Sequence, residues 1–141
     1  MNNNLLCKTS QSIYNYEIEI GAGILARQAE YLHSLASRVA IITDDTILPL
    51  YGKHLQKQLV QSGLDTHLLF FPHGEHHKTR STKEYLENQL FEKGLGRDTC
   101  LIALGGGVVT DIAGYVAATY CRGIPLVLMP TSLLGMVDAC I

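Results

Sequence analysis

The chain has 141 residues, about one domain's worth and enough to bury a sizeable core. A net charge of -2 at pH 7 leaves no basic footprint for nucleic acid. No apolar run approaches the length needed to cross a bilayer, and Met1 to Cys7 lacks the positive start and long apolar middle of a secretory signal.

Taken in order, Tyr14 to Ile20 alternates apolar and polar residues and predicts a half-buried strand ending at Gly21-Ala22-Gly23. Ile24 to Ser34 has helical spacing through Leu25, Ala29 and Leu32. Arg38 to Thr43 is a continuous apolar, β-branched run, the signature of a buried parallel strand. Asp44, Asp45 and Thr46 sit at its carboxyl end, where open α/β sheets place ligand-binding groups; a helix N-cap is the competing role for each. Ile47 to Gln61 predicts an amphipathic helix broken around Gly52 and stopped by Ser62-Gly63, and Thr66 to Phe71 the next strand.

After Pro72 comes the polar loop His73-Gly-Glu-His-His-Lys78. Its three histidines and glutamate invite a metal reading. Adjacent His76 and His77 do not readily face one ion in an extended loop, however, and i,i+4 spacing is missing. A solvated loop, or a polar lip over a cofactor, is the better expectation, and no residue here is assigned to a metal. Thr79 to Lys93 predicts a further helix with Gly94 as its stop.

The organising stretch is Cys100 to Tyr120, CLIALGGGVVTDIAGYVAATY. Cys100 to Leu104 is a short apolar run suited to a buried strand. Gly105-Gly106-Gly107 interrupts it, and Asp111 to Tyr120 reads as a helix rich in small residues. Strand, glycines and helix in that order bring bare backbone N–H groups and the positive end of a helix to an anion, so a phosphate-bearing cofactor is expected. A tight turn with no ligand is the alternative. The spacing Gly105-x-Gly107 followed by Thr110 is the dinucleotide fingerprint with threonine at the third glycine, so the helix should sit farther out or start differently. No Lys-Ser/Thr pair follows, which argues against a nucleoside-triphosphate loop.

Arg122-Gly123 then turns the chain, Pro125 to Met129 predicts another strand, and Pro130-Thr131-Ser132 opens an apolar helix. The hydroxyls there can cap that helix or bind phosphate or ribose. Cys7, Cys100, Cys121 and Cys140 are widely spaced, which suits thiols in a reducing cytoplasm better than a disulfide framework or zinc site. The β/α alternation predicts an α/β fold, a Rossmann-like parallel or mixed sheet with helices on both faces. Val137 to Ile141 closes the sequence inside an apolar pattern, which reads as the front part of a longer protein.

With these residues in hand, the sequence resembles the dehydroquinate synthase family of sugar-phosphate cyclases. The matching segments are Pro72-x-Gly74-Glu75-x-x-Lys78-Thr79, Ala103-Leu-Gly-Gly-Gly-Val-Val-x-Asp111-x-Ala-Gly114, Ala118-Thr-Tyr-x-Arg122-Gly123 and Pro130-Thr-Ser-Leu-Leu-x-x-Val-Asp138. The resemblance implies that residues 1–141 are the N-terminal NAD-binding α/β domain, without the C-terminal α-helical domain. It implies a pyrophosphate resting on Gly105, Gly106 and Gly107 and on the backbone of Val108, Val109, Thr110 and Asp111. Asp44, Gly74, Glu75 and Lys78 correspond to contacts with the adenosine half, and Thr131, Ser132 and Leu134 to further cofactor contacts. Asp138 and Arg122 correspond to substrate-binding residues, the arginine reaching a neighbouring subunit's substrate phosphate.

The activity the resemblance implies is a lyase step of the shikimate pathway. A seven-carbon heptulosonate phosphate becomes 3-dehydroquinate and phosphate in a cytoplasmic homodimer, with catalytic NAD and a divalent metal, zinc or cobalt. The catalytic lysines, the asparagine and the metal ligands belong to the part of the family that lies beyond this sequence, so this chain alone is expected to be inactive. Thr110 replaces a usual glycine, and Tyr115 stands where phenylalanine is common. Another cyclase, a polyol dehydrogenase of the glycerol-dehydrogenase type, and a non-catalytic NAD-binding module are the alternatives.

Overall fold

The computed structural model describes residues 3–7 and 16–141. Near the start, β1 (Asn3–Cys7) and β2 (Tyr16–Ile20) form an antiparallel pair. The expected strand is present over Tyr16–Ile20, while Tyr14 and Asn15 lie outside the described residues. It is less buried than its alternation suggests: Ile18 is half-buried, whereas Tyr16 and Ile20 are exposed. Glu19 ties it to the next element by accepting from Gln28 Nε2 at 2.9 Å and facing Arg27 at 3.5 Å. The helical segment after it is two pieces, a tight turn over Ile24–Arg27 and α1 (Ala29–Leu35).

From β3 onward the alternation is regular. The elements are β3 (Arg38–Asp44), α2 (Lys53–Gln61), β4 (Asp65–Phe71), α3 (Arg80–Glu92), β5 (Thr99–Gly105), α4 (Gly107–Thr119) and β6 (Leu126–Pro130). The four strands form one parallel sheet in the order β4-β3-β5-β6. Because β3 and β5 are buried on both faces, their side chains divide between two cores. Val39, Ile41, Cys100, Ile102 and Leu104 point to the side of Leu32, Leu55 and Leu59 from α1 and α2. Ala40, Ile42, Leu101 and Ala103 point to the side of Leu86 and Leu90 from α3 and of Ile112, Ala113 and Val116 from α4. Each large aliphatic side chain so covered contributes roughly 1.5–3 kcal/mol. This is why continuous apolar runs here mean central strands and not helices.

Two expectations about helices change. The helix after β3 is not broken at Gly52, which keeps helical angles of φ -59° and ψ -50°. Instead a wide π-type turn over Leu48–Gly52 leads directly into α2. Gly52 is buried against β3 and β4, where a Cβ would make ordinary contacts at 3.4 Å from Leu48 Cδ1 and 3.5 Å from Thr43 Cγ2. Further on, α4 starts at Gly107, four residues earlier than the small-residue run from Asp111 suggests.

The strand order fixes where a ligand can sit. The chain runs from β3 outward to β4, then crosses to β5 on the other side of β3 and on to β6. The direction of winding therefore reverses between β3 and β5. Ligands of open α/β sheets bind in the crevice at the carboxyl ends of the strands at such a reversal.

Candidate functional site: the carboxyl edge of the sheet

Every strand of the parallel sheet ends in sequence-predicted site residues. Asp44 closes β3, Gly74 to Lys78 follow β4, Gly105 to Asp111 follow β5, and Thr131 to Leu134 follow β6. At the reversal itself the β3–β5 ladder stops at Ile42 and Ala103. Beyond it the fully buried Thr43 hydroxyl donates to Leu104 O at 2.8 Å, holding together two strand ends that have begun to part.

The glycine turn is built for close approach, not for left-handed backbone. None of Gly105, Gly106 and Gly107 has a positive φ. A Cβ on Gly105 would fall 2.5 Å from Val109 Cγ2 and 2.7 Å from Val109 Cβ. Val109 is only 1 % exposed, in the core beneath α4, so Gly105 is the residue that lets the first turn of the helix sit down on the strand. Tight helix–strand packing thus comes from the first glycine and not from the third fingerprint position. Thr110 fits that third position: it is 3 % exposed and its hydroxyl donates to Gly107 O at 3.1 Å.

Gly106 is extended (φ -83°, ψ -170°) and no side chain caps α4. Thr110 N makes the first intrahelical bond, to Gly106 O, at 3.1 Å. The amides of Gly107, Val108 and Val109 therefore head the helix without intrahelical partners, at its positive end. Space above them is open: a Cβ on Gly107 would meet only Ala139 Cβ, at 4.0 Å, and one on Gly106 only Ser132, at 3.4 Å from its Oγ. Three unpartnered amides at a glycine cradle suit a pyrophosphate. Thr110 and the Val109 side chain are occupied elsewhere, so of residues 107–111 the first three amides and the Asp111 carboxylate are the polar groups left to meet a ligand.

Around this cradle the charged residues are already paired. Lys78 Nζ lies 2.5 Å from Asp111 Oδ2 and 3.8 Å from Glu75 Oε1. Its hydrogen bond and charge attraction to Asp111 push the ammonium pKa above the ordinary lysine value. The loop that carries Lys78 turns sharply at Gly74 (φ 110°), and a tight turn comes next over Glu75–His77. The positive φ makes glycine the fitting residue at 74, where a Cβ would also meet the ring of exposed His76 at 2.7 Å, a side chain free to turn aside. His76 and His77 rings lie 4.2 Å apart, centroid to centroid. Among the described residues no three His, Cys, Asp or Glu side chains gather into a set that could hold a metal ion.

Asp44 caps a helix and still keeps one oxygen open. Its Oδ1 accepts from Thr46 N at 2.9 Å and Ile47 N at 2.8 Å. Oδ2 has no hydrogen-bond partner among the described residues, which leaves it available to a ribose hydroxyl. Ser132 is also a cap, its Oγ accepting from Gly135 N at 3.2 Å. Thr131 N extends the β5–β6 ladder by donating to Gly105 O at 2.9 Å, and its hydroxyl has no partner among the described residues. Leu134 and Asp138 are exposed on the segment after β6, which packs back against Gly107 through Ala139.

Arg122 is not part of this constellation. It comes after α4, whose thirteen residues put the turn roughly 20 Å from the glycine cradle, at the opposite edge of the sheet. Cys121 and Arg122 both adopt left-handed angles (φ 51° and 68°). The guanidinium is exposed and makes no ion pair among the described residues. Missing from the sequence-predicted set is a contact between Asp45 and His73, at the ends of β3 and β4. Nothing in the spacing of these two residues signals it; only the adjacency of the two strands does.

A parallel sheet wound both ways from β3, with an uncapped glycine-headed helix at the reversal, defines a Rossmann-like α/β domain of the dinucleotide-binding type. The family described as 3-dehydroquinate synthase N-terminal matches residues 68–141, more than half of the chain, and the chain belongs to that family. A 3-dehydroquinate synthase from Pelobacter propionicus is 41 % identical over 127 residues, which is 89 % of this chain and 35 % of the relative. The chain thus spans about a third of the length of the curated relatives it matches. Among solved structures, 2-epi-5-epi-valiolone synthase from Streptomyces hygroscopicus, with NAD+ and Zn2+ bound, superimposes with a TM-score of 0.78 at 32 % identity, over 96 % of this chain and 38 % of that one. A 2-deoxy-scyllo-inosose synthase complexed with carbaglucose-6-phosphate, NAD+ and Co2+ gives 0.85 at 24 % identity, over 96 % and 37 %, a likeness of fold. No helix among the described residues is long and apolar enough to cross a membrane.

Proposed function

We propose that this chain is the cofactor-holding part of a cytoplasmic 3-dehydroquinate synthase and that it binds NAD along the carboxyl edge of its sheet. One observation carries the reading: the unpartnered amides of Gly107, Val108 and Val109 stand above a cradle that only glycine leaves open, at the winding reversal. The solved 2-epi-5-epi-valiolone synthase, with its NAD+ bound, supports it from outside.

The first-turn amides receive the pyrophosphate, and Lys78, with three donors, can turn one toward an anion while keeping Asp111. Asp44 Oδ2 and Glu75 accept ribose hydroxyls, the Thr131 hydroxyl donates to a phosphate oxygen, and Ser132 and Leu134 line the same edge. A bound NAD supplies a reversible hydride acceptor for a secondary alcohol, which is what elimination of phosphate from a heptulosonate phosphate requires. Asp138 reaches the substrate from the segment after β6. Arg122, at the far edge, serves a second subunit's substrate phosphate in a homodimer, where its planar fork suits a phosphate. Among the described residues no donor set for a divalent metal gathers.

Calorimetry with NAD on the purified chain tests this, with Gly106→Val as the partner variant. Valine tolerates the extended backbone at Gly106 but places a branched side chain in the cradle. Saturable binding by the parent and its loss in a variant with unchanged circular dichroism is the expected result. Equal affinity in a folded Gly106→Val protein, or no binding by the parent, overturns the reading.

A further inference from the structure

Two strand ends are joined by a contact that the cofactor roles leave unused. Asp45 N donates to Phe71 O at 3.0 Å, carrying the β3–β4 pairing one step past the last ladder pair, Asp44 with Phe71. The Asp45 carboxylate then turns to His73: a single oxygen, Oδ1, accepts the backbone N–H of His73 at 2.9 Å and meets its ring Nδ1 at 2.8 Å. An ionised carboxylate only accepts, so Nδ1 carries the proton and donates. These bonds to His73 hold the Asp45 carboxyl below the ordinary aspartate pKa.

The position of the contact gives it its consequence. His73 begins the loop that bears Glu75 and Lys78, and Gly74 immediately after it has φ 110°, a backbone state with little stiffness of its own. The loop's other end is fixed by Lys78 on Asp111 and by Thr79, whose hydroxyl oxygen accepts from Thr82 N and caps α3. Between these anchors the loop carries only local turn bonds, His77 N to Gly74 O and Lys78 N to Glu75 O at 3.0 Å and Thr79 N to His77 O at 2.8 Å.

We infer that Asp45 and His73 form a positioning clasp that holds the Pro72–Lys78 loop where Glu75 and Lys78 can meet a dinucleotide. This rests on the proposed NAD site. Without the clasp the loop samples other conformations, and apparent affinity falls in proportion to the competent fraction. A competent fraction of about one in five gives an approximately fivefold rise in Kd.

Asp45→Ala, His73→Ala, the double variant and Asp45→Asn are compared with the parent in two measurements: amide hydrogen exchange of residues 73–78, and NAD calorimetry. The clasp predicts faster exchange in each alanine variant, NAD affinity lowered about fivefold, and a double variant no worse than the singles. Asn, which keeps an acceptor oxygen for both N–H groups, restores most of the affinity. Unchanged exchange in Asp45→Ala overturns the clasp. Faster exchange with unaltered NAD affinity overturns its positioning role while leaving the NAD reading intact. A parent that binds no NAD removes the NAD reading first, and the positioning role with it.

Discussion

Lys78 and Asp111, 33 residues apart, meet across the carboxyl edge of the sheet and link the loop after β4 to the first turns of α4. Both side chains are more than two-fifths exposed. The pair is therefore worth little to stability, about 0–1 kcal/mol as for other solvated ion pairs. Its importance lies in setting the ammonium beside the amides that would receive a phosphate. Lys78→Met is expected to leave thermal unfolding nearly unchanged and to weaken NAD binding by about tenfold, the loss of one charge-assisted hydrogen bond. Calorimetry alongside a melting curve separates the two effects. A variant that melts much earlier yet binds NAD normally would put Lys78 to structural use only.

Much of this edge is legible in the sequence because parallel strands announce themselves. Arg38–Thr43 and Cys100–Leu104 are apolar runs that a strand buried on both faces requires, the edge strand β4 is half-buried, and each of the three is followed by polar or glycine residues at its carboxyl end. The start of α4 is less legible. Gly107, Val108 and Val109 are weak helix formers, and they are helical because Val109 packs onto Gly105, a tertiary contact that outweighs propensity. The Asp45–His73 contact depends on which strands are neighbours, and Arg122's distance from the cradle on the length of α4. β1 is not legible at all: Asn3–Cys7 has no alternation to mark it, and its partner strand supplies the reason for its shape.

Gly105 and Gly107 should separate stability from binding. Alanine at 105 drives a methyl group into the buried Val109 side chain and is expected to cost about 1–3 kcal/mol as overpacking. Alanine at 107 meets nothing nearer than Ala139 at 4.0 Å and has no positive φ to strain, so the fold should keep its stability. Its methyl group nevertheless enters the space above the amides, and NAD affinity should fall. Denaturant unfolding and calorimetry on both variants check the pair. Equal behaviour of the two would mean that the glycines share one role.

The Asp45 carboxyl gives a pH signature of defined sign. Its folded-state pKa is lowered, first by the hydrogen bond from the His73 side chain, below an ordinary value of 3.8. The stabilisation from that ionised form is therefore present above pH 3.8 and disappears as pH falls through the lowered folded value. Asp45→Asn cannot titrate. The parent's advantage in melting temperature over Asp45→Asn should hold between about pH 5 and 7 and shrink below about pH 4. A difference that instead grows on acidification would assign the effect to another group. Lys78, whose pKa is raised, behaves oppositely: its contribution is complete below 10.5 and is lost only as pH rises through its folded value, so it does not cloud this window.

The segment after β6 carries the largest group of exposed apolar side chains among the described residues. Leu133 is 76 % exposed, Leu134 66 %, Met136 51 %, Val137 62 % and Ile141 67 %. Each would gain roughly 1.5–3 kcal/mol if covered, and clusters of this kind promote association. Their helical turn is capped by Ser132 and rests on α4 through Ala139, so the side chains are presented on an ordered surface. In solution the purified chain should self-associate at micromolar concentration. Leu133→Lys together with Val137→Lys, two positions outside the cofactor contacts, should shift it toward monomer with NAD affinity unchanged. Sedimentation velocity across a concentration series reads this directly: a parent that stays monomeric throughout removes the patch as an association surface, and a double variant that associates as strongly as the parent moves the contact elsewhere on the chain.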